Sequence, residues 1–332
     1  MLIFAGLLGL VAAGAAAMVT FDSGVEDVDE DIDQEETLDI DEDGIDNLFG
    51  LPDIPDDTPP APQTEEDQII AGSEPDELMN GGAGDDQING YQGDDTIHGH
   101  DGDDHLYGQD GNDNLSGDAG SDLLHGEDGE DSLSGGAGDD SLFGHMGDDL
   151  LDGGEGDDSL TGGFGDDTLS GGEGDDALHG GYGDDQMHAG EGGDTLFGGD
   201  GNDVLYGAGD SAASGPDFLN GGDGDDTITA GAGDWVTSGD GMDLILLDNW
   251  PSEGEAIRIV DFDGLEDSLV LLYDASSGVE PSVELREDPD TPDQSDLYVE
   301  GLLVASIQGG AGLTAADIVL LAQDAAPPPP VV

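Results

Sequence analysis

The chain has 332 residues, of which 83 are acidic and only Arg258 and Arg286 are basic, so its formal net charge is −81. That much like charge repels itself in any compact state, which excludes nucleic acid as a natural partner and favours cations. There is no cysteine, so neither a disulfide framework nor a zinc–thiolate site can hold the fold together.

Residues 1–20, MLIFAGLLGLVAAGAAAMVT, form an uncharged apolar run of membrane-spanning length. Two readings stand for it. One is an N-terminal hydrophobic helix that anchors the protein in a membrane. The other is a secretory signal, with Leu2–Val11 as its apolar region and cleavage after Ala15-Ala16-Ala17. Residues 21–68 are rich in Asp, Glu and Pro and offer little apolar surface to offset ordering entropy. They are expected to be a disordered acidic linker. Within it, Asp39-Ile40-Asp41-Glu42-Asp43-Gly44 opens like an EF-hand loop, but Gly50 stands where a bidentate Glu is needed.

From residue 69 to 246 the sequence is periodic. Between Gly81 and Tyr206 a nine-residue phrase such as Gly153-Gly154-Glu155-Gly156-Asp157-Asp158-Ser159-Leu160-Thr161 occurs fourteen times in unbroken register. A short fixed period predicts a solenoid, here an all-β one. Collagen is excluded, because its glycine must recur at every third residue. The preceding unit, residues 72–80, has Pro75 and Glu77 in place of the fourth-position Gly and sixth-position Asp, and reads as an N-terminal cap. Residues 207–220 make a unit with five extra residues, 221–229 is regular, and 230–237 is one residue short.

The phrase has the composition of a calcium loop. Glycines at positions one, two and four permit φ > 0 and bring carbonyl oxygens close together. The sixth-position Asp adds a carboxylate, and Ca²⁺ takes six to eight oxygen ligands. Residues seven to nine are expected to form a short strand with the eighth side chain turned inward. Two nonapeptides would make one coil, so that loops eighteen residues apart stack. One edge then carries Asp86, Asp104, Asp122, Asp140, Asp158, Asp176 and Asp194. The other carries Asp95, Asp113, Asp131, Asp149, Asp167, Asp185 and Asp203. Carboxylates about 5 Å apart repel by roughly 3 kcal/mol at an effective dielectric of 20, and one Ca²⁺ between each stacked pair would balance them. The fifth position varies more, which predicts an exposed side chain whose carbonyl alone matters. The histidines, among them His98, His100, His105 and His145, read as polar surface positions.

Beyond residue 247 ordinary strand patterns replace the glycine period. Strands are expected at 257–262, 269–273, 283–286, 297–300 and 302–307, with Glu300-Gly301 as a tight turn. A helix is expected over 315–322, started by the Thr314/Asp317 capping pair and the Leu313/Ile318 apolar pair. Residues 247–324 thus form a β-rich C-terminal domain with one helix, and 325–332 a Pro-rich tail.

The array resembles the hemolysin-type calcium-binding repeat of the RTX (repeats-in-toxin) family. That resemblance implies a parallel β-roll in which the sixth-position Asp side chains and loop carbonyls ligate several Ca²⁺ ions. It adds Asp226 to the ligand set, while Asp217 and Asp243 fit less closely because the loops before them are irregular. Residues 247–322 look like the C-terminal region of such proteins, which implies recognition by type I secretion machinery and folding outside the cell. The expected location is extracellular, either secreted or anchored at the outer face of a bacterial membrane. No H-E-x-x-H or G-x-S-x-G motif occurs, so a non-catalytic surface or matrix component is expected. The alternative is an adhesin-like module whose C-terminal β region binds a partner or glycan.

Overall fold

The computed structural model describes residues 66–207, 215–248, 255–275, 279–287, 291, 293–309 and 312–323. The apolar run 1–20, the acidic linker up to residue 65, its EF-hand-like fragment and the tail 325–332 lie outside the described residues. Among the described residues there is no α-helix, and none is long and apolar enough to cross a membrane.

Successive strands alternate between two sheets, one of 14 strands and one of 12. Within the repeats each strand pairs in parallel with its neighbours one coil before and after. Leu160 lies opposite Leu142 on one side and Leu178 on the other, the eighteen-residue spacing that two nonapeptides per coil predict. Leu196 still pairs with Leu219 and Leu219 with Val236, so the ladder keeps its register across both irregular units.

The strands are longer than the sequence suggests. Ser159–Phe164 is typical: it begins at the seventh position and runs through the third position of the next nonapeptide, with Leu160 and Gly162 buried. Period-two alternation carries through the glycines, so each strand turns two residues inward, the eighth and the first. The eighth-position side chains Ile88, Ile97, Leu106, Leu115, Leu124 and their successors are wholly buried and form one column from end to end. Inward glycines leave no second apolar column, which keeps the roll thin.

Positions two and four differ in what they tolerate. The fourth position is always glycine in the regular repeats, at φ of 129° for Gly156 and 132° for Gly165. A Cβ on Gly156 would collide with the carbonyl of Gly138 one coil earlier, and one on second-position Gly154 with that of Gly136, so occupancy and not space separates the two positions. The second position also has positive φ, yet it holds Tyr91, His100, Gln109, Asp118, Glu127 and His145 at φ of 74–87°. A small backbone rotation makes room for a side chain there.

The C-terminal segment extends both sheets. Ile257–Ile259 and then Leu302–Gln308 add in parallel to one sheet, and Ser268–Tyr273 and Ile318–Ala322 to the other. Gln294–Val299 and Val283–Glu287 close the first sheet with antiparallel pairings. All five expected strands are present, and Glu300-Gly301 turns at φ of 53° and 84°. Their buried residues, including Ile257, Leu271, Val304 and Ile307, belong to the same core as the repeats.

The expected helix at 315–322 does not form. Thr314 and Asp317 do make the capping contacts, with Thr314 N–H and Oγ1 both donating to Asp317 Oδ2 at 2.7 Å, but these close a single turn. Ile318–Ala322 instead becomes a strand against Leu269–Tyr273. Pairing with an open sheet edge satisfies every second backbone group and buries Ile318, and this outweighs a local helix signal in a β-branched segment.

Replacing Gly156 by Asn should destabilise the calcium-loaded roll by about 1–3 kcal/mol, whereas Gly154→Asn should cost much less. Urea unfolding of both variants in excess calcium checks the contrast.

Candidate metal centre

All fifteen sixth-position aspartates singled out from the sequence, Asp86 through Asp203 and Asp226, are buried, none more than 3 % exposed. The strand pattern places them there. The sixth residue precedes the outward seventh, so it points inward above the first-position glycine of its own nonapeptide. Gly153 shows the fit: a Cβ there would meet Asp158 Oδ2 and, at 2.6 Å, the carbonyl oxygen of Gly171. The first glycine is required because a carboxylate and a carbonyl converge on the space its side chain would fill.

Each carboxylate divides its two oxygens between different tasks. Oδ1 accepts the backbone N–H of the corresponding Asp one coil earlier. Asp140 donates to Asp158 at 2.7 Å and Asp158 to Asp176 at 2.8 Å along one edge. Asp149 donates to Asp167 and Asp167 to Asp185, both at 2.8 Å, along the other. Oδ2 of every one of the fifteen is buried and accepts no hydrogen bond. A buried, ionised oxygen without a partner is costly, and here the same orphan recurs down both edges.

Three further aspartates continue the rows. Asp194 N–H donates to Asp217 Oδ1, Asp217 to Asp234 Oδ1, and Asp226 to Asp243 Oδ1. Asp243 Oδ2 is orphaned like the others. Asp234 differs, because its Oδ2 accepts the Gly231 N–H at 2.6 Å, so the short unit 230–237 satisfies its own carboxylate. Asp234 could have been found in the sequence from its spacing of two residues ahead of apolar Val236, the spacing Asp158 has to Leu160.

The fifth-position side chains do more than the sequence suggests. They are exposed as expected, but Asp139 Oδ1 accepts Asp157 N–H at 3.0 Å and Asp157 Oδ1 accepts Asp175 N–H at 2.9 Å. Asn112 and Asn202 act likewise toward Glu130 and Asp225. The fifth residue therefore reaches back from each amide to the coil before, opposite in sense to the sixth.

Burial raises the carboxylate pKa values far above the ordinary 3.8. Asp122, Asp131, Asp167 and Asp176 rise to about 7 and Asp185 to about 8. Desolvation is the main cause; the single N–H bond opposes it, and repulsion from stacked aspartates adds to it. Neither arginine offsets this charge, and among the causes of the shifts His100 and His145 act only weakly, on Asp104 and Asp149. Arg258 lies 4.5 Å over the Trp235 ring, and Arg286 lies over Tyr298 and pairs with Glu284 at 2.8 Å. The compensating cation must come from solution. The donors are carboxylate and carbonyl oxygens only, which suits a hard cation of the calcium type and not a nitrogen- or sulfur-seeking one.

The sign of the pH dependence follows. Folded-state pKa values raised above 3.8 mean that the metal-free fold holds more protons than the unfolded chain at intermediate pH. Its stability is therefore full below about pH 4 and falls as pH rises through 6–8. In chelator the far-UV β signal should be stronger at pH 5 than at pH 8, and the order should reverse in excess calcium.

The RTX calcium-binding nonapeptide repeat model matches the chain in overlapping blocks from residue 72 to 245, among them 80–115, 107–142, 143–178 and 211–245. No curated protein matches it. The matched span exceeds half of the chain and coincides with the parallel roll and its buried aspartates. The chain belongs to the RTX calcium-binding nonapeptide repeat family.

Proposed function

We propose that the protein is a non-catalytic, extracellular calcium-binding module whose roll is completed by Ca²⁺. The ions are held along the two edges by the Oδ2 atoms of the fifteen sixth-position aspartates, joined by Asp243, with loop carbonyls as the other protein ligands. The observation that carries this reading is the unbroken series of buried Oδ2 atoms without hydrogen-bond partners. When bound, the ion supplies positive charge between carboxylates that otherwise repel. The chain's own residues do the rest: the glycines let carbonyls approach, and Oδ1 fixes each carboxylate against the previous coil.

Metal binding and folding then form one equilibrium. At the low free calcium of a cytosol the acidic chain stays open, and at the millimolar calcium outside a cell it closes. This couples the fold to export, either through type I secretion machinery acting on residues 247–322 or through residues 1–20. A chain with no cysteine gains from the metal the stapling that disulfides give other extracellular proteins.

Circular dichroism of the full chain should pass from coil to β as Ca²⁺ is raised, and Mg²⁺ should not replace it, because it demands a tighter octahedral shell. A β signal indifferent to chelator would overturn the proposal. Asp158→Asn should weaken binding in the central coils and leave the terminal coils competent, since coupling along a solenoid is largely nearest-neighbour. Calcium stoichiometry by calorimetry measures that loss.

A further inference from the structure

The histidines read from the sequence as polar surface positions are not equivalent. His125, Glu127 and His145 come together on the outer face of the larger sheet, with potential ligand atoms all within 4.8 Å of one another. The register explains why residues two and twenty apart meet. His125 and Glu127 share the strand Leu123–Asp128 and, being two apart, the same face. On the next strand, Glu127 lies directly opposite His145 and His125 opposite Phe143. His125 and His145 are therefore diagonal neighbours, a separation that long side chains bridge.

We propose that these three side chains form a second, separate metal site for a borderline transition cation of the Zn²⁺ class. His125 Nδ1 and His145 Nε2 are 2.8 Å apart, and Glu127 Oε1 is 4.0 Å from His145 Nε2. These separations bracket the edge of about 3.3 Å that a tetrahedral Zn²⁺ with bonds of 2.0–2.1 Å requires. The imidazole ring of His125 is held between Tyr107 and Phe143, at centroid distances of 5.0 and 4.9 Å and near-parallel planes. A ring fixed in this way loses little entropy on ligation. His145 and Glu127 are each about two-fifths exposed, at 38 % and 41 %, so an ion can reach them from solvent.

Two imidazoles and one carboxylate select against calcium, which the interior rows take, and in favour of zinc, copper or nickel. The ion would take the place of the hydrogen bond between the two rings: the donor ring moves its proton to its other nitrogen, so both ligate as neutral imidazoles and no proton is lost. A fourth position faces outward and is open to water or to a donor from another molecule. The site draws on none of the sixth-position aspartates, so it would stand even if the calcium reading failed.

The test is calorimetric titration of the calcium-saturated full chain with Zn²⁺, with far-UV circular dichroism as the check on folding. One zinc per chain is expected at this site. His145→Gly is the decisive variant, because glycine occupies the same position in the next coil at Gly163 with φ of 125° and so removes the ligand without straining the backbone. His145→Gly and His125→Ala should each weaken zinc binding roughly tenfold or more while calcium-dependent folding persists. His179→Ala and His188→Ala should bind as the parent does. Failure of the parent to take up zinc, or uptake of unchanged affinity and stoichiometry by His145→Gly, would overturn the proposal. The short His125–His145 distance would then be an ordinary hydrogen bond between neutral rings.

Discussion

Everything in this roll depends on a carboxylate folded inward over a glycine. Placing Asp158 above Gly153 brings a charge into the interior of a coil with only one large apolar side chain per nonapeptide to stabilise it. The arrangement is costly in isolation, and repetition compounds the cost because each aspartate stacks on another like itself. It calls for a compensating cation or, at low pH, for protonation of the carboxylates. The strict spacing of Gly and Asp, the net charge of −81 and the thin apolar column are three aspects of one constraint: a fold whose interior is partly ionic.

Most of this was legible in the sequence because the period is short and each position carries one task. Leu160 and its counterparts could be placed in a column, and Asp158 and its counterparts on an edge, from spacing alone. The insertion at 207–220 and the deficit at 230–237 could also be placed, since Asp217 and Val236 keep the spacing on either side of them. Strand length was less legible. Glycine has low strand propensity, so Gly162-Gly163 did not announce itself as the second half of a strand, and only the stacked neighbours make it one.

The C-terminal residues show where local signals fail. Thr314 and Asp317 form the contacts that a helix start requires, yet the chain from Ile318 onward is claimed by Ser268–Tyr273. A solenoid always presents two open sheet edges, and whatever follows it in sequence competes to cover them. The role of His125, Glu127 and His145 was hidden for a related reason. Their proximity exists only in the register between coils, and no window along a single nonapeptide contains all three.

The two aspartates of each loop point in opposite directions along the roll, and this gives the solenoid a polarity. A sixth-position amide is satisfied only when the following coil has arrived with its carboxylate, as Asp140 waits for Asp158. If the roll closes from its N-terminal end, the newest coil holds a buried amide with nothing to accept from it. One row ends where Asp243 N–H finds Asp267 Oδ1 at 3.3 Å, and beside it the first-position Ser238 N–H finds Asp261 Oδ1 at 2.9 Å. Those two aspartates lie in the segment after the repeats. A truncated array that stops short of them keeps an unfinished face, and the segment that follows the repeats is what brings the assembly to a close.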